Sequence, residues 1–105
     1  MIGDSRLVTT KTATVSSTAI SLVTFGFSAA VVQSADKIII GVEAGALRVT
    51  YDTDLANPPT VSAGLKIPTN NYPFWIIYGR PNASNMKLIR DGSSDATVTI
   101  VIESN

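Results

Sequence analysis

The chain has 105 residues, 45% hydrophobic and 15% charged, with eight Lys or Arg against eight Asp or Glu and neither His nor Cys. That length suits one domain with a two-layer core, and the hydrophobic share excludes disorder by composition. Balanced, scattered charge removes the electrostatic footprint of nucleic-acid binding, and the missing His and Cys exclude disulfides, imidazole or thiol catalysis and the commonest metal ligands.

The start of the chain, MIGDSRLVTT, lacks the basic and long apolar regions of a signal peptide. No apolar run approaches a membrane span. The expectation is a protein made in the cytoplasm, with no membrane or nucleic acid as partner. Charged residues fall well below the roughly one quarter usual for soluble domains. Part of the surface is therefore expected to be covered by a partner, although abundant Ser and Thr also solvate it.

Taken in order, residues 1–15 read as an edge strand or extended arm, Thr-rich, with Leu7, Val8 and Thr10 as candidate interface residues. Thr18 to Thr24 alternates Ala19, Ser21 and Val23 against Ile20 and Leu22, a short strand. Phe25 and Phe27 flank Gly26, either as core plugs at a corner or as interface aromatics. Ala29 to Gln33 suits a strand or one helical turn. In the middle, Lys37–Glu43 and Ala46–Asp52 alternate cleanly about Ala44-Gly45, with Ile38, Ile40 and Val42 on one face and Leu47, Val49 and Tyr51 on another. Gly45 supplies the positive φ of a tight turn, so the segment predicts a β-hairpin.

Residues 53–60, with Pro58-Pro59, form a loop. Gly64 to Ile67 is a short strand, and Phe74 to Tyr78 a strand with apolar surroundings on both faces. Met86 to Asp91 and Ala96 to Glu103 close the chain with period-two alternation, Val98, Ile100 and Ile102 against Thr97 and Thr99. About eight strands separated by turn signals predict an all-β, single-domain antiparallel β-sandwich of jelly-roll type over residues 1–105.

Few constellations carry chemistry. Asp52 and Asp54 sit close at a strand end, where they suit calcium or a carboxylate pair, or simply cap a turn. The glycines are dispersed, without a phosphate-binding loop. A non-enzymatic protein without metal or cofactor is expected. Trp75, Tyr78 and Arg80 would make a stacking face for a sugar or base if exposed, and a core or subunit contact if buried. Arg48 and Arg90 interrupt apolar strands. They either face solvent or pin loops by pairing with Asp52, Asp54 or Asp91.

The run IIIGVEAGALRVTYDTDLANPPTVSAGLKI, continued by MKLIRDGSSDATVTIVIES, resembles small virion proteins of tailed bacteriophages. Their pattern has an isoleucine-rich strand ending in Glu, here Ile38–Glu43, then a mid-strand arginine, here Arg48. A D-x-D loop with proline and a small-residue segment with glycine follow, matched by Asp52, Asp54, Pro58, Pro59 and Val61–Leu65. An aliphatic-Arg strand, Leu88–Arg90, and a terminal strand, Asp95–Ile102, complete it. The likeness spans about two-thirds of the chain, from Asp36 on. Here Leu55-Ala56-Asn57 lengthens the loop before the prolines. The resemblance implies a capsid decoration, or cement, protein on the virion surface. Its partner would be the major capsid protein, and self-association as a dimer or trimer is expected. A tail, neck or fibre module and a carbohydrate-binding sandwich are the alternatives.

Overall fold

The computed structural model describes residues 7–51, 58–69, 75–77 and 83–104, with residues 75–77 in their backbone. Their strands are β1 (Leu7–Val15), β2 (Ile20–Ser21), β3 (Lys37–Ala44), β4 (Leu47–Thr50), β5 (Leu65–Ile67), β6 (Trp75–Ile77), β7 (Lys87–Arg90) and β8 (Ala96–Ser104). Two short helices, α1 (Leu22–Phe25) and α2 (Ala29–Gln33), lie between β2 and β3, and a 3-10 turn spans Ala83–Asn85. The fold is all-β. No helix among the described residues is long and apolar enough to cross a membrane.

The strands form two antiparallel four-stranded sheets, ordered β1-β8-β3-β6 and β2-β7-β4-β5. Pairing follows a rule: β1 joins β8, β2 joins β7, β3 joins β6 and β4 joins β5. The β3–β8 and β4–β7 ladders then complete each sheet. β8 is the spine of the first sheet. It pairs along its whole length with β1, from Leu7 opposite Ser104 to Val15 opposite Ala96, and on its other side with β3.

Alternation decides what is buried. On β8, Ala96, Val98, Ile100 and Ile102 are buried and Thr97, Thr99, Val101 and Glu103 are not. Ile38, Ile40 and Val42 of β3 join the same core cluster as Leu47 and Val49 of β4, Ile67 of β5 and Leu88 of β7. The two sheets thus share one core, each contributing every second residue. Burial of these branched side chains contributes about 1.5–3 kcal/mol apiece before conformational entropy is set against it.

The second sheet is shorter, its strands two to four residues long against eight or nine for β1, β3 and β8. Leu22, Phe25, Phe27 and Val32, from α1, α2 and the link between them, complete the core. The Phe25 and Phe27 rings stack with centroids 6.0 Å apart.

One sequence expectation changes here, and one left open is settled. The strand expected over Thr18 to Thr24 stops at Ser21, whose hydroxyl accepts from the Thr24 amide at 3.1 Å and caps α1. Gly26, at φ 143°, ends that turn by donating to the Leu22 and Val23 carbonyls. Ser28 caps α2 in the same way, which makes Ala29–Gln33 helical. Local capping here overrides β-branched propensity.

The larger correction concerns the central hairpin. β3 and β4 do not pair: β3 lies between β8 and β6, and β4 between β7 and β5, in the other sheet. Ala44-Gly45-Ala46 is a corner between sheets, and a register shift between Val42 and Ala44 bends β3 into it. Gly45, at φ 71°, is required there twice over. Its conformation favours glycine, and a β-carbon would lie 2.4 Å from the Asp95 carbonyl oxygen.

Gly92 gives the control, with φ 70° and nothing within 4 Å of its missing β-carbon. Gly92→Ala is expected to cost about 1–2 kcal/mol, the left-handed penalty alone. Gly45→Ala is expected to cost roughly 3 kcal/mol or more, because backbone must also move. Urea unfolding of both variants checks this, and equal losses would refute the close-approach argument.

Candidate interaction surface

Two regions gather the residues singled out in the sequence. The first is the outer face of the sheet built on β8. Across the β1–β8 ladder, Val8 stands opposite Glu103, Thr10 opposite Val101, Thr12 opposite Thr99 and Thr14 opposite Thr97. On the other side of β8, Lys37 stands opposite Glu103, Ile39 opposite Val101 and Gly41 opposite Thr99. These positions alternate with the buried set, so they share the outward face.

Charge on this face is held at its ends. Lys37 Nζ lies 3.5 Å from Glu103 Oε2. At the other end Thr99 Oγ1 donates to Glu43 Oε1 at 3.3 Å. Its single hydrogen being used there, Thr99 accepts from Thr12 Oγ1 at 2.9 Å. The middle rows, Thr10–Val101–Ile39 and Thr12–Thr99–Gly41, carry no charge. Val8, 57% exposed, extends this face along its outer edge, and Leu7, 65% exposed, lies beside it on the opposite side of the strand.

The remaining interface candidates divide. Thr10 is exposed. Phe25 and Phe27, 6% and 2% exposed, belong to the core and offer no surface to a neighbour. Trp75 lies in β6 with its Cα opposite Ile40, and its side chain falls outside the description. Tyr78 and Arg80 also lie outside the described residues.

The second region is the polar corner where the chain passes between sheets. Arg48, mid-strand on β4, donates from Nε to Asp91 Oδ1 at 2.7 Å and from a terminal nitrogen to the Gly64 carbonyl at 3.0 Å. Lys66 Nζ reaches Asp91 Oδ2 at 3.4 Å. Arg90 pairs with Asp95 at 2.6 Å rather than with Asp91. Asp52 and Asp54 lie outside the described residues. Lys66, Asp95 and the Gly64 carbonyl were not singled out in the sequence. The position of Lys66 opposite Arg48 on β5 was the available signal, hidden until the strand pairing is known.

Arg48 holds Asp91 ionised below the usual aspartate range through their hydrogen bond, with Lys66 adding to it and partial burial opposing. This end is a clasp. The Asp91 amide donates to the Ala46 carbonyl at 2.9 Å and the Gly92 amide to the Val61 carbonyl at 2.8 Å. The ion pairs hold the loop that leads from β7 to β8.

Two clefts open on the described surface. One, of about 140 Å³, lies among α1, α2 and the 3-10 turn, and the other, of about 430 Å³, lies beside Tyr51 and Leu65. Neither is lined by a carboxylate, lysine or arginine. No group of three or more acidic side chains that could hold a metal ion occurs among the described residues. Comparison with protein-family models, curated proteins and solved structures found no match to the chain.

Because Asp91 binds its proton less readily in the folded chain, its pairing stabilises above the ordinary aspartate pKa. That contribution disappears as pH falls through the depressed value. Asp91→Asn is expected to lower the urea midpoint at pH 7 and to differ less from the wild type at acid pH. Parallel urea titrations across that range check it, and a difference independent of pH would contradict the pairing.

Proposed function

We propose that this chain is a non-enzymatic structural component of a tailed-bacteriophage particle, a decoration protein that binds the assembled head and stabilises it. The observation that carries the reading is the outer face of the β8 sheet, a broad β surface whose middle rows are Thr, Val, Ile and Gly with charge kept to its ends. Such a face suits close contact with another protein surface, because few charges need be stripped of water. The resemblance of Ile38–Glu43, Arg48, Leu88–Arg90 and Asp95–Ile102 to small virion proteins supplies the partner class, the major capsid protein.

The finer fold assignment belongs to the same proposal. We infer a jelly-roll sandwich. Its support is the pairing rule, in which first joins last, second joins seventh, and so inward, as when an antiparallel ribbon wraps upon itself. Jelly rolls host unrelated functions, so this topology is compatible with a virion protein without requiring one.

The mechanism is mass action. A protein that binds only the assembled shell stabilises it by about 2.7 kcal/mol per site at a hundredfold excess over the dissociation constant. Contacts with several capsid subunits, or a self-associated decoration unit, would raise this through effective concentration. The clasp at the polar corner then has a structural task, to keep the sheets in fixed relation while one face is engaged.

The purified chain is expected to co-pellet with expanded capsid shells at near one-to-one stoichiometry with capsid subunits and to raise their melting temperature. Val101→Lys, a charge in the middle of the face, is expected to weaken that binding about tenfold or more. A chain that ignores expanded shells would overturn the decoration role. A few copies per virion would then point to the tail or neck.

A further inference from the structure

The two sheets have four edge strands, and among the described residues three of them are short. β2 has two residues, and β5 and β6 three each, whereas β1 has nine. β1 pairs with β8 on one side, and among the described residues no strand pairs with the other. A long free edge presents a row of backbone donors and acceptors that templates another strand. Proteins that avoid such pairing blunt the edge with proline, a bulge, shortness or an inward charge. β1 has no proline, and its ladder to β8 runs without a register shift. Its one charge, Lys11, lies on the core-facing side that holds Val15 and is the one blunting feature of the strand, with its aliphatic stem beside Gly26 at the end of α1.

We propose that β1 pairs antiparallel with β1 of a second copy, in the register that sets Thr10 opposite Thr10. Three observations select this arrangement. Side-chain parity must be kept, so that the Val15 side of one copy continues the Val15 side of the other, which allows only registers that place a residue opposite itself. Centring on Lys11 would set two lysines directly opposite, and like charges there are destabilising. Centring on Thr9 would place Lys11 opposite the aliphatic Leu7.

With Thr10 at the axis, Lys11 meets Thr9, Val8 meets Thr12 and Leu7 meets Ala13. The two most exposed large aliphatics of the described surface, Leu7 and Val8, are covered, and each such contact occurs twice. Leu7 is set beside Ala13, which packs against the core of its own copy. The two β8 sheets become one continuous sheet, and the neutral middle rows of their outer faces merge. This pairing names the surface for self-association, and it does not require the chain to bind a capsid.

The chain has no cysteine, so single substitutions report the register directly. Under mild oxidation Thr10→Cys is expected to give a disulfide-linked dimer. Lys11→Cys is not, since its two copies would lie diagonally, beyond the roughly 7 Å that a disulfide spans. Val8→Cys mixed with Thr12→Cys should give the heterodimer. Light scattering of the wild type should give a dimer mass, and Leu7→Lys, at an exposed position, should raise the dissociation constant about tenfold.

A monomer that forms no Thr10→Cys link would overturn the pairing. So would a trimer, which a two-fold edge contact cannot build. A monomer whose β1 amides become protected from exchange only on capsid shells would also overturn it, and would assign the edge to a shell strand. Shell binding by a chain with no β1 dimer leaves the decoration role standing, and a β1 dimer without shell binding leaves the pairing standing.

Discussion

Gly45 and the Asp95 carbonyl oxygen approach so closely that a β-carbon on residue 45 would sit 2.4 Å from that oxygen. This contact joins two of the places where the chain crosses between sheets, from β3 to β4 and from β7 to β8. Each corner supplies what the other lacks. The first offers a residue without a side chain and the Ala46 carbonyl, which the Asp91 amide fills. The second offers the Asp91 carboxylate to Arg48. With the corners nested, β8 and β3 are neighbours in one sheet and β4 and β7 in the other, and their alternating aliphatics meet in the shared core. Packing of both sheets depends on a site where little more than backbone fits.

Alternation was legible because it is a property of one strand. Ile38, Ile40 and Val42, Leu47 and Val49, and Val98, Ile100 and Ile102 each share a side by spacing alone and all are buried, while Tyr51, grouped with Leu47 and Val49, lies past the end of β4 and is only partly buried. Partner choice is not a property of one strand. Two alternating runs about a glycine look the same whether they pair beside each other or face each other across a core, since in both cases their apolar sides meet. The close approach that decides between them comes from Asp95, fifty residues away in sequence. Ser21 hides in a similar way: a serine within an alternating run reads as a solvated strand position until its hydroxyl is seen to cap a turn.

The same limit governs the charged residues. An arginine inside an apolar strand is conspicuous, and Arg48 does hold Asp91. Which acid each arginine takes depends on where the corners put them, so Arg90 finds Asp95 and Lys66 joins the Arg48 pair from a strand that is adjacent only in space. Phe25 and Phe27 were ambiguous between core and interface because large aromatics serve both, and the two helical turns settle them inward. The outer face of the β8 sheet was hardest to see. It draws every second residue from three separated segments, and no one of these segments is unusual alone.

Low charge has two readings in a β protein, since threonine both favours strands and solvates them. Distribution separates the readings better than composition does. Around the clasp the charges pair in two groups, Arg48 and Lys66 with Asp91 and Arg90 with Asp95. On the β8 sheet, Lys37 and Glu103 stand at one end and Glu43 at the other, leaving the rows between them neutral. A surface that only needed water would not require this segregation, because scattered charges solvate a sheet as well as threonines do. Alongside stands a nine-residue edge, where the other edges span two or three of the described residues. Where three edges are short over the described residues and the fourth is not, and where the neutral rows abut that fourth edge, the contact with another chain that we propose would account for both features together.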